Sequence, residues 1–484
     1  MNGKRESGIL CHLTSLPGEY GIGDMGPEAR RFADLLADTG QSLWQILPLS
    51  PVGGSASPYQ GLSAFAGNPL LISPEELRRD GLLTDEDLKH PDFGSGRIPF
   101  LEAKEWKLRI LDAAADRFAA EGCSDGFRRF EGSERGWLNR YALFRAAKEQ
   151  DPSPWREWKT EPRMADYRGP ALRHKIIQYF FFRQCAALNA YANARGVRIV
   201  GDLPIFLDME SESLWQDRRL FLLRGDLRPA FVSGVPPDYF SATGQYWGNP
   251  MYDWTAMKED GYKWWKERFR LLFKTVDLVR IDHFRAFSRA WHIKPNRSRS
   301  AVRGRWQEGP GAEFFDLALP KSRRGSIIAE DLGIIDDRVR ALRDECGFPG
   351  MCILQFAFDG SDNLYLPHNH LKNQVVYTGT HDNNTVLGWW QDEDEETRDR
   401  VRRYLSIDGN AISRQLMTAA AMSVADTAIY PMQDLLELDG SARMNVPGQP
   451  EGCWGWRFGW EQVTDRRRDF LRDITALYHR ERRS

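Results

Sequence analysis

The chain has 484 residues, of which 42% are hydrophobic and 28% are charged, a composition typical of globular proteins. Its 66 Lys and Arg residues are balanced by 68 Asp and Glu residues, and the net charge of −2 argues against nucleic acid or an anionic membrane as the main partner. No segment approaches the roughly 20 apolar residues of a transmembrane helix, and no signal peptide is recognisable. With six scattered cysteines and no CxxC pair, the sequence predicts a cytoplasmic protein.

Eight short apolar runs, each ending in a polar or glycine-rich turn, predict strands. Near-continuous apolar runs are typical of parallel strands that are buried on both faces. Helical patterns lie between many of them, for example over 27–39, 260–274 and 337–346. This alternation predicts an α/β fold, a (β/α)8 TIM barrel. The eight runs are 8–13, 42–48, 197–200, 277–281, 326–329, 352–356, 374–377 and 428–430.

The uneven spacing of the strands predicts large, mainly helical insertions in one barrel that spans residues 1–484. A helical subdomain is expected over 55–195, after the second strand, with helices near 100–120, 136–150 and 172–195. A loop-rich insertion is expected over 204–262, after the third strand. Only a helix is expected near the end, over 460–483, and hence no C-terminal β-sandwich domain.

Acidic residues follow four of the predicted strands, at the end of a barrel where active sites are built. Glycosidic chemistry uses two carboxylates, one as nucleophile and one as acid and then base. Arg280 precedes Asp282 by two residues, so both side chains lie on one face of the fourth strand. Glu330 and the adjacent Asp331 are expected to point apart, and only Glu330 to reach the site. The four strand-end groups are Asp202, Arg280 with Asp282, Glu330, and His381 with Asp382.

Several longer motifs resemble those of the amylomaltases, the 4-α-glucanotransferases of glycoside hydrolase family 77 in the α-amylase superfamily. The resemblance covers essentially the whole chain, and its most specific part is the segment 234–250, which is similar to the mobile loop over that family's active site. The other matching segments are 8–18, 20–24, 57–69, 201–204, 280–285, 329–333 and 380–383.

The resemblance implies that Asp282 is the nucleophile, that Glu330 is the general acid and base, and that Asp382 stabilises the distorted sugar. It also implies that α-1,4-glucans and maltooligosaccharides are the partners of a monomer or weak homo-oligomer, without cofactor, metal, nucleic acid or membrane. The substrate-binding residues that it implies are Arg280, His381, Asp202, Tyr59, Tyr239, Phe240, Trp247, Asp359 and Asn445.

Three positions depart from the family pattern, namely Leu13, the segment 287–294 and Asn384, and none is one of the three acids. Two other functions stay open: hydrolysis of α-1,4-glucans by an α-amylase relative, and a non-catalytic glucan-binding barrel. The covering loop at 234–250 and the intact acid set favour transfer over both. Of the 17 tryptophans, Trp247 in that glycine-rich loop is the expected stacking residue. Most of the others are expected in the core, among them Trp137, Trp155, Trp264 and Trp265.

Overall fold

A computed structural model describes residues 5–237, 243–333, 335–360, 362–449 and 451–481. The strands are β1 (Glu6–Leu10), β2 (Leu43–Gln45), β3 (Arg198–Leu203), β4 (Val232–Val235), β5 (Gln245–Pro250), β6 (Leu278–Ile281), β7 (Arg289–Ile293), β8 (Gly304–Glu308), β9 (Ile327–Ala329), β10 (Gly350–Ile353), β11 (Gln374–Tyr377) and β12 (Thr427–Pro431). The helices are α1 (Pro27–Asp38), α2 (Pro74–Arg79), α3 (Phe100–Ala120), α4 (Asp125–Ser133), α5 (Arg135–Gln150), α6 (Arg168–Ala194), α7 (Glu212–Gln216), α8 (Trp254–Glu259), α9 (Lys263–Thr275), α10 (Gly311–Ala318), α11 (Asp337–Cys346), α12 (Val386–Asp392), α13 (Glu395–Leu405), α14 (Ile412–Met422), α15 (Met432–Leu435) and α16 (Asp465–Leu477).

Eight parallel strands form the central sheet, in the order β10-β11-β12-β1-β2-β3-β6-β9. A hydrogen bond from the Ala329 amide to the Pro349 carbonyl (2.9 Å) links the two ends of this order and nearly closes the barrel. The predicted (β/α)8 barrel is therefore confirmed. Two strands are displaced. The run predicted at 8–13 is β1 at Glu6–Leu10, with a 3-10 helix at Leu13–Ser15, and the run predicted at 352–356 is β10 at Gly350–Ile353, with a 3-10 helix at Leu354–Asp359.

The helices that surround the barrel show the local signals that start and stop them. Pro27 opens α1, where its missing amide costs no hydrogen bond, and Phe32 and Leu36, four residues apart, are buried on one face. In α11, the Asp336 side chain accepts from the first free amides, and Gly347 ends the helix with a φ of 71°. These signals are local, and the predicted boundaries of both helices agree with the structure within one residue.

A second sheet, antiparallel and four-stranded, was not predicted. Its order is β5-β4-β7-β8, so it joins strands from the segment expected to be loop-rich to strands that follow β6. These strands mix glycine with polar and aromatic residues, and β8 is largely exposed, so they lack the apolar runs of the barrel strands. The segment 204–262 is therefore more ordered than the sequence indicated.

Five α-helices, α2 to α6, lie between β2 and β3, and α3, α5 and α6 lie where helices were predicted. A buried ion pair from Lys107 on α3 to Asp24 (2.9 Å) ties them to the loop that follows β1. The helix predicted over 460–483 is shorter: a 3-10 turn at Trp460–Gln462 precedes α16. Within the described residues, we find no helix that is long and apolar enough to cross a membrane.

The four tryptophans expected in the core are buried there. Trp137 and Trp265 are among the largest fully buried side chains, and Trp264 packs edge-on against Trp265 with ring centroids 5.4 Å apart. Trp155 is buried as well, in a short 3-10 helix, with its indole N–H donating to a backbone carbonyl at 2.8 Å. The count of tryptophans therefore reflects packing more than ligand binding.

Candidate active site

A buried arginine joins two aspartates at the carboxyl-terminal end of the barrel. Asp202 on β3 and Arg280 on β6 are register partners in adjacent parallel strands, so their side chains lie side by side. Arg280 Nη1 lies 2.6 Å from Asp202 Oδ2 and 3.0 Å from Asp282 Oδ1. Asp202 is fully buried, whereas Asp282 keeps 27% of its side chain exposed. The arrangement leaves one face of the Asp282 carboxylate open to a ligand.

Glu330, which directly follows β9, is held beside Asp282 by the backbone. Its Oε2 accepts a hydrogen bond from the amide of His283 (2.7 Å), and its Oε1 accepts one from Leu332 (2.9 Å). His283 takes a left-handed conformation, with φ 49° and ψ 48°, that turns the chain just after Asp282. The Glu330 carboxyl is thus hydrogen-bonded to the backbone of His283, the residue that follows Asp282.

Asp331 points away from this site, as the sequence predicts for the neighbour of Glu330. Its carboxylate pairs with Arg343 (2.6 Å) and accepts from the Met351 amide (2.8 Å), both outside the acid cluster. Asp331 therefore holds α11 and β10 against the end of β9.

Burial and mutual repulsion raise the pKa values of the two central acids. Burial raises the pKa of Asp282 well above its usual range, Arg280 opposes that shift, and the neighbouring carboxylates add to it. The pKa of Glu330 is also raised, again chiefly by burial, while Arg280 and the two amide donors lower it. Of these two acids, only Asp282 contacts the guanidinium, whereas Glu330 accepts from two backbone amides, so the cation favours the ionised form of Asp282 more directly.

Tyr59, from the segment after β2, closes one side of the site. Its hydroxyl donates to Asp202 Oδ2 (2.8 Å), and its ring stacks on the His381 imidazole with centroids 5.1 Å apart and planes 15° apart. Trp454 packs against both rings, at 5.7 and 5.9 Å. Burial lowers the pKa of His381, so its ring is neutral near neutral pH and can donate a hydrogen bond without carrying a charge.

Asp382 lies beside His381 in the segment between β11 and α12. Its Oδ2 lies 3.4 Å from His381 Nε2, and its Oδ1 accepts from the Asn445 amide group (2.6 Å). Arg443 donates to the backbone carbonyls of Asp382 (2.6 Å) and Asn445 (2.7 Å). With 44% of its side chain exposed, Asp382 faces the open part of the site while its backbone is held in place.

Trp247 on β5 packs against His283, the residue that follows Asp282. Its ring meets the His283 imidazole edge-on, with centroids 4.7 Å apart and planes 87° apart, and its indole N–H donates to Gln245. His283 thus contributes its amide to Glu330 and its ring to packing against Trp247. Tyr239 and Phe240 lie outside the described residues.

Asp359 is the predicted site residue that stands apart. It ends the 3-10 helix after β10, where its exposed carboxylate accepts from Asn363 (2.6 Å), and within the described residues it has no bond to the acid cluster. Elsewhere, the described ranges contain no group of three or more His, Cys, Asp or Glu residues arranged to hold a metal ion.

Sequence reasoning missed Trp454 and Arg443. Trp454 adopts a left-handed φ of 64°, uncommon for a bulky residue, and this conformation brings its ring onto Tyr59 and His381. A signal was present, because Trp454 lies in a glycine-rich segment, the same feature that pointed to Trp247. Arg443 acts through backbone carbonyls, which residue type and spacing do not reveal.

A parallel (β/α)8 barrel whose carboxyl-terminal rim gathers aspartate, glutamate and a buried arginine defines the class of carbohydrate-active barrel enzymes that act on glycosidic bonds. Comparisons with known proteins narrow the class. The family model for 4-alpha-glucanotransferase, glycoside hydrolase family 77, matches residues 11–462. The chain belongs to this family, and it is an enzyme that transfers glycosyl groups.

Relatives from bacteria and plants agree with this assignment. A 4-alpha-glucanotransferase of Streptococcus pneumoniae is 44% identical over 494 residues, covering 99% of this chain and 98% of that protein. A chloroplastic/amyloplastic 4-alpha-glucanotransferase of Solanum tuberosum is 43% identical, covering 99% of this chain and 87% of that protein. An amylomaltase from Streptococcus agalactiae, solved in complex with acarbose, superposes with a TM-score of 0.94 at 36% identity, covering 99% of this chain and 100% of that one.

Proposed function

We propose that this chain moves α-1,4-glucan segments from a donor maltodextrin to an acceptor, with retention of configuration, through a covalent glucosyl intermediate on Asp282. The observation that carries the proposal is the Arg280 guanidinium, which lies 3.0 Å from Asp282 and favours the ionised form of that carboxylate, beside Glu330, which accepts from backbone amides. A nucleophile and a proton donor on neighbouring strands are the two groups that a retaining mechanism requires.

In the first step, Glu330 donates its proton to the glycosidic oxygen while Asp282 attacks the anomeric carbon. The bond from that carbon to the leaving oxygen breaks, a carboxyl ester forms on Asp282, and the shortened glucan departs with a free 4-hydroxyl. In the second step, Glu330, now a carboxylate, takes the proton from the 4-hydroxyl of an acceptor. That oxygen displaces Asp282, and Glu330 regains its proton.

The residues around Asp382 suit the sugar ring that is attacked. A carboxylate held by Asn445 and flanked by a neutral His381 can bond the ring hydroxyls most strongly when the ring flattens in the transition state. The stacked Tyr59 and His381 rings form an apolar wall for the same sugar, beside Asp202. Asp359 stays a weaker candidate, for a glucan contact further from the acids.

The covering segment decides between an acceptor sugar and water in the second step. Trp247 stands edge-on to His283 beside the acids, where an aromatic ring can hold an acceptor sugar and displace water. Tyr239 and Phe240, in the same segment of the sequence, are proposed to complete this cover. We assign the walls of the cleft to the two insertions, over 55–195 and 204–262.

The intermediate is tested by trapping it. Glu330→Gln should react with α-maltotriosyl fluoride, because fluoride leaves without a proton, but should release the sugar slowly because the base is missing. Intact-protein mass spectrometry should then show one added maltotriosyl group, located on Asp282 by peptide mapping. Glu330→Gln combined with Asp282→Asn should show no adduct. An adduct on another residue, or turnover by Asp282→Ala near that of the parent, would overturn the assignment.

Transfer is tested with maltotriose. The parent chain should release glucose together with a ladder of longer maltodextrins, because one donor becomes the acceptor for another. Asp282→Ala should give neither product, while Asp277→Asn, at the opposite end of the barrel, serves as the matched aspartate control. Shorter sugars without any longer chain would indicate the alternative, a hydrolase, and binding of maltodextrin without turnover would indicate a non-catalytic glucan-binding barrel.

The remaining proposals concern the surroundings of the enzyme. A neutral glucan as partner agrees with the net charge of −2, and neither nucleic acid nor membrane is proposed. All six cysteines are free thiols, the state that a reducing cytoplasm maintains. A monomer or weak homo-oligomer is proposed, and light scattering over a concentration series measures it.

A further inference from the structure

Asp434 is a buried carboxylate outside the acid cluster, and it belongs to α15, directly after the last barrel strand. It is 1% exposed. Its Oδ2 accepts from the Thr378 hydroxyl (2.5 Å), and its Oδ1 accepts from the Val386 amide (2.8 Å). Among the described residues, no cation bonds to it, so its burial is offset by these two donors alone. Burial raises the pKa of Asp434 to about 6.

The two donors stand at the two ends of one segment. Thr378 directly follows β11, and Val386 is the first residue of α12. Between them lies the segment 379–385, which carries His381 and Asp382. A single carboxylate therefore fastens both the start and the end of the loop that presents these two groups to the substrate.

The interior of the segment makes further hydrogen bonds. Asn383 Oδ1 accepts from both the amide and the hydroxyl of Thr380, at 2.9 Å each. Gln355 donates to the Asn384 carbonyl (2.9 Å). The Asn383 bonds fix the shape of the loop, whereas the bonds to Asp434, together with those from Gln355 and Arg443, join the loop to the barrel. The loop follows β11, whereas Asp434 follows β12, so the contact between them forms only in the tertiary structure.

We propose that Asp434 is a positioning residue for the transfer reaction, which holds the 379–385 segment so that Asp382 meets the sugar ring. The inference rests on the proposed role of Asp382. Displacement of a reacting group by about 1 Å can cost about 10²-fold in rate, so the effect should fall mainly on kcat. A role confined to folding would instead lower the unfolding midpoint and leave the kcat of the folded enzyme unchanged.

The test compares two variants of Asp434 that differ in hydrogen bonding. Asp434→Asn can keep both contacts, because its carbonyl accepts from Val386 and its NH2 donates to the Thr378 hydroxyl, which can also accept. Asp434→Ala keeps neither. With maltotriose at 25 °C, we expect kcat to fall about 10²-fold for Asp434→Ala and to stay within about threefold for Asp434→Asn, with smaller changes in KM.

Three further variants keep the test decisive. Thr378→Val removes one donor without shortening the side chain and should lower kcat about tenfold, and Thr378→Ser should restore it. Asp277→Ala is the matched control: this carboxylate also accepts from a backbone amide, that of Ile199 (2.8 Å), but at the amino-terminal end of the barrel. It should lower the unfolding midpoint and leave kcat unchanged. If Asp434→Ala does not fold, the Thr378 pair decides.

Two results would overturn the proposal. One is a kcat for Asp434→Ala, or for Thr378→Val where Asp434→Ala does not fold, that matches Asp277→Ala. The other is an equal loss in Asp434→Asn and Asp434→Ala, which would show that charge rather than placement matters. Asp382→Asn is measured in parallel. If Asp382→Asn is inactive while Asp434→Ala is normal, only the positioning proposal fails, whereas an active Asp382→Asn removes the proposed function of Asp382 itself.

Discussion

At the scale of single residues, Arg280 is the buried cation of the acid cluster. It contacts Asp202 and Asp282 through one nitrogen, and it lowers the pKa of an aspartate that burial raises. An arginine beside an aspartate typically lowers the pKa of the acid by about 1–3 units. The contact with Arg280 therefore favours the ionised form of Asp282, which the proposed mechanism requires.

Replacing Arg280 by Gln should move the acid limb of the pH–rate profile. Without the cation the pKa of Asp282 rises further, so the limb should shift to higher pH by about 1–3 units, with kcat/KM near pH 6 falling about 10²-fold. Arg280→Lys, which keeps the charge, should shift the limb less. An unchanged limb in Arg280→Gln would show that another group controls it.

Glu212 is the basis of a second prediction at the scale of residues, which concerns how the free energy of unfolding depends on pH. It begins α7 and is fully buried. Its Oε2 accepts from the hydroxyls of Ser63 (2.9 Å) and Ser213 (3.0 Å), and burial raises its pKa from 4.5 to about 7. Because the folded pKa exceeds the unfolded one, the stabilisation is full below about pH 4.5 and is lost as pH rises through about 7.

Glu212→Gln, which stays neutral, should therefore be close to the parent in stability at pH 5 and more stable at pH 8. The expected gain at pH 8 is on the order of 2–3 kcal/mol in the free energy of unfolding. Urea unfolding at the two pH values measures it, with Glu157→Gln in an exposed turn as control. A variant that is less stable than the parent at both pH values would contradict this account.

Sequence reasoning reaches the residues that act through their own chemistry and misses those that act through neighbours. Asp282, Glu330 and Asp382 follow strands, and their spacing to Arg280 and His381 is visible in one dimension. Trp454, Arg443 and Asp434 each contact partners that are distant in the chain, such as Tyr59, Asp382 and Val386 respectively. No local pattern encodes such a pairing, because the fold alone brings the partners together.

At the scale of elements, the barrel strands were predictable and the second sheet was not. Barrel strands are buried on both faces, so their residues must be apolar, and β9 and β11 are predicted within one residue. Strands β4, β5, β7 and β8 are buried in part, so polar, aromatic and glycine residues are all allowed there. Their pairing is decided by contacts between segments that are distant in the chain.

Strand β5 carries the element-scale prediction, because it places Trp247 beside His283. An aromatic contact of this kind contributes about 0.5–1.5 kcal/mol, or about a 2- to 10-fold effect. Trp247→Ala should therefore raise the ratio of hydrolysis to transfer by several-fold, since water gains access while the acids stay in place. The ratio is measured as reducing ends gained per ladder product formed.

The control for this variant is Trp390→Ala on α12, where the ring packs against Arg398 and Arg402 and not against His283. It should keep the parent ratio. Trp247→Phe, which keeps an aromatic ring, should lie between the parent and Trp247→Ala. An unchanged ratio in Trp247→Ala would assign the exclusion of water to other parts of the covering segment.

At the scale of the whole molecule, the near-zero net charge and a neutral substrate lead to a prediction about the effect of salt on kcat/KM. Electrostatic attraction between a charged ligand and a protein weakens as salt shortens the Debye length. With a net charge of −2 and an uncharged glucan, kcat/KM for maltotriose should change less than about twofold between about 0.05 and 0.5 M NaCl. A steep fall with salt would instead indicate a charged ligand.

The sequence by itself determined the barrel, the positions of its strands along the chain and the acids at the strand ends. Apolar periodicity and the position of a residue at a strand end are local properties of the chain. Only the tertiary structure decided how these acids differ. The register of β3 against β6 places Arg280 between Asp202 and Asp282, and the turn at His283 delivers an amide to Glu330. Burial, cation contact and hydrogen bonding differ between Asp282 and Glu330, and each depends on residues brought together from distant parts of the chain.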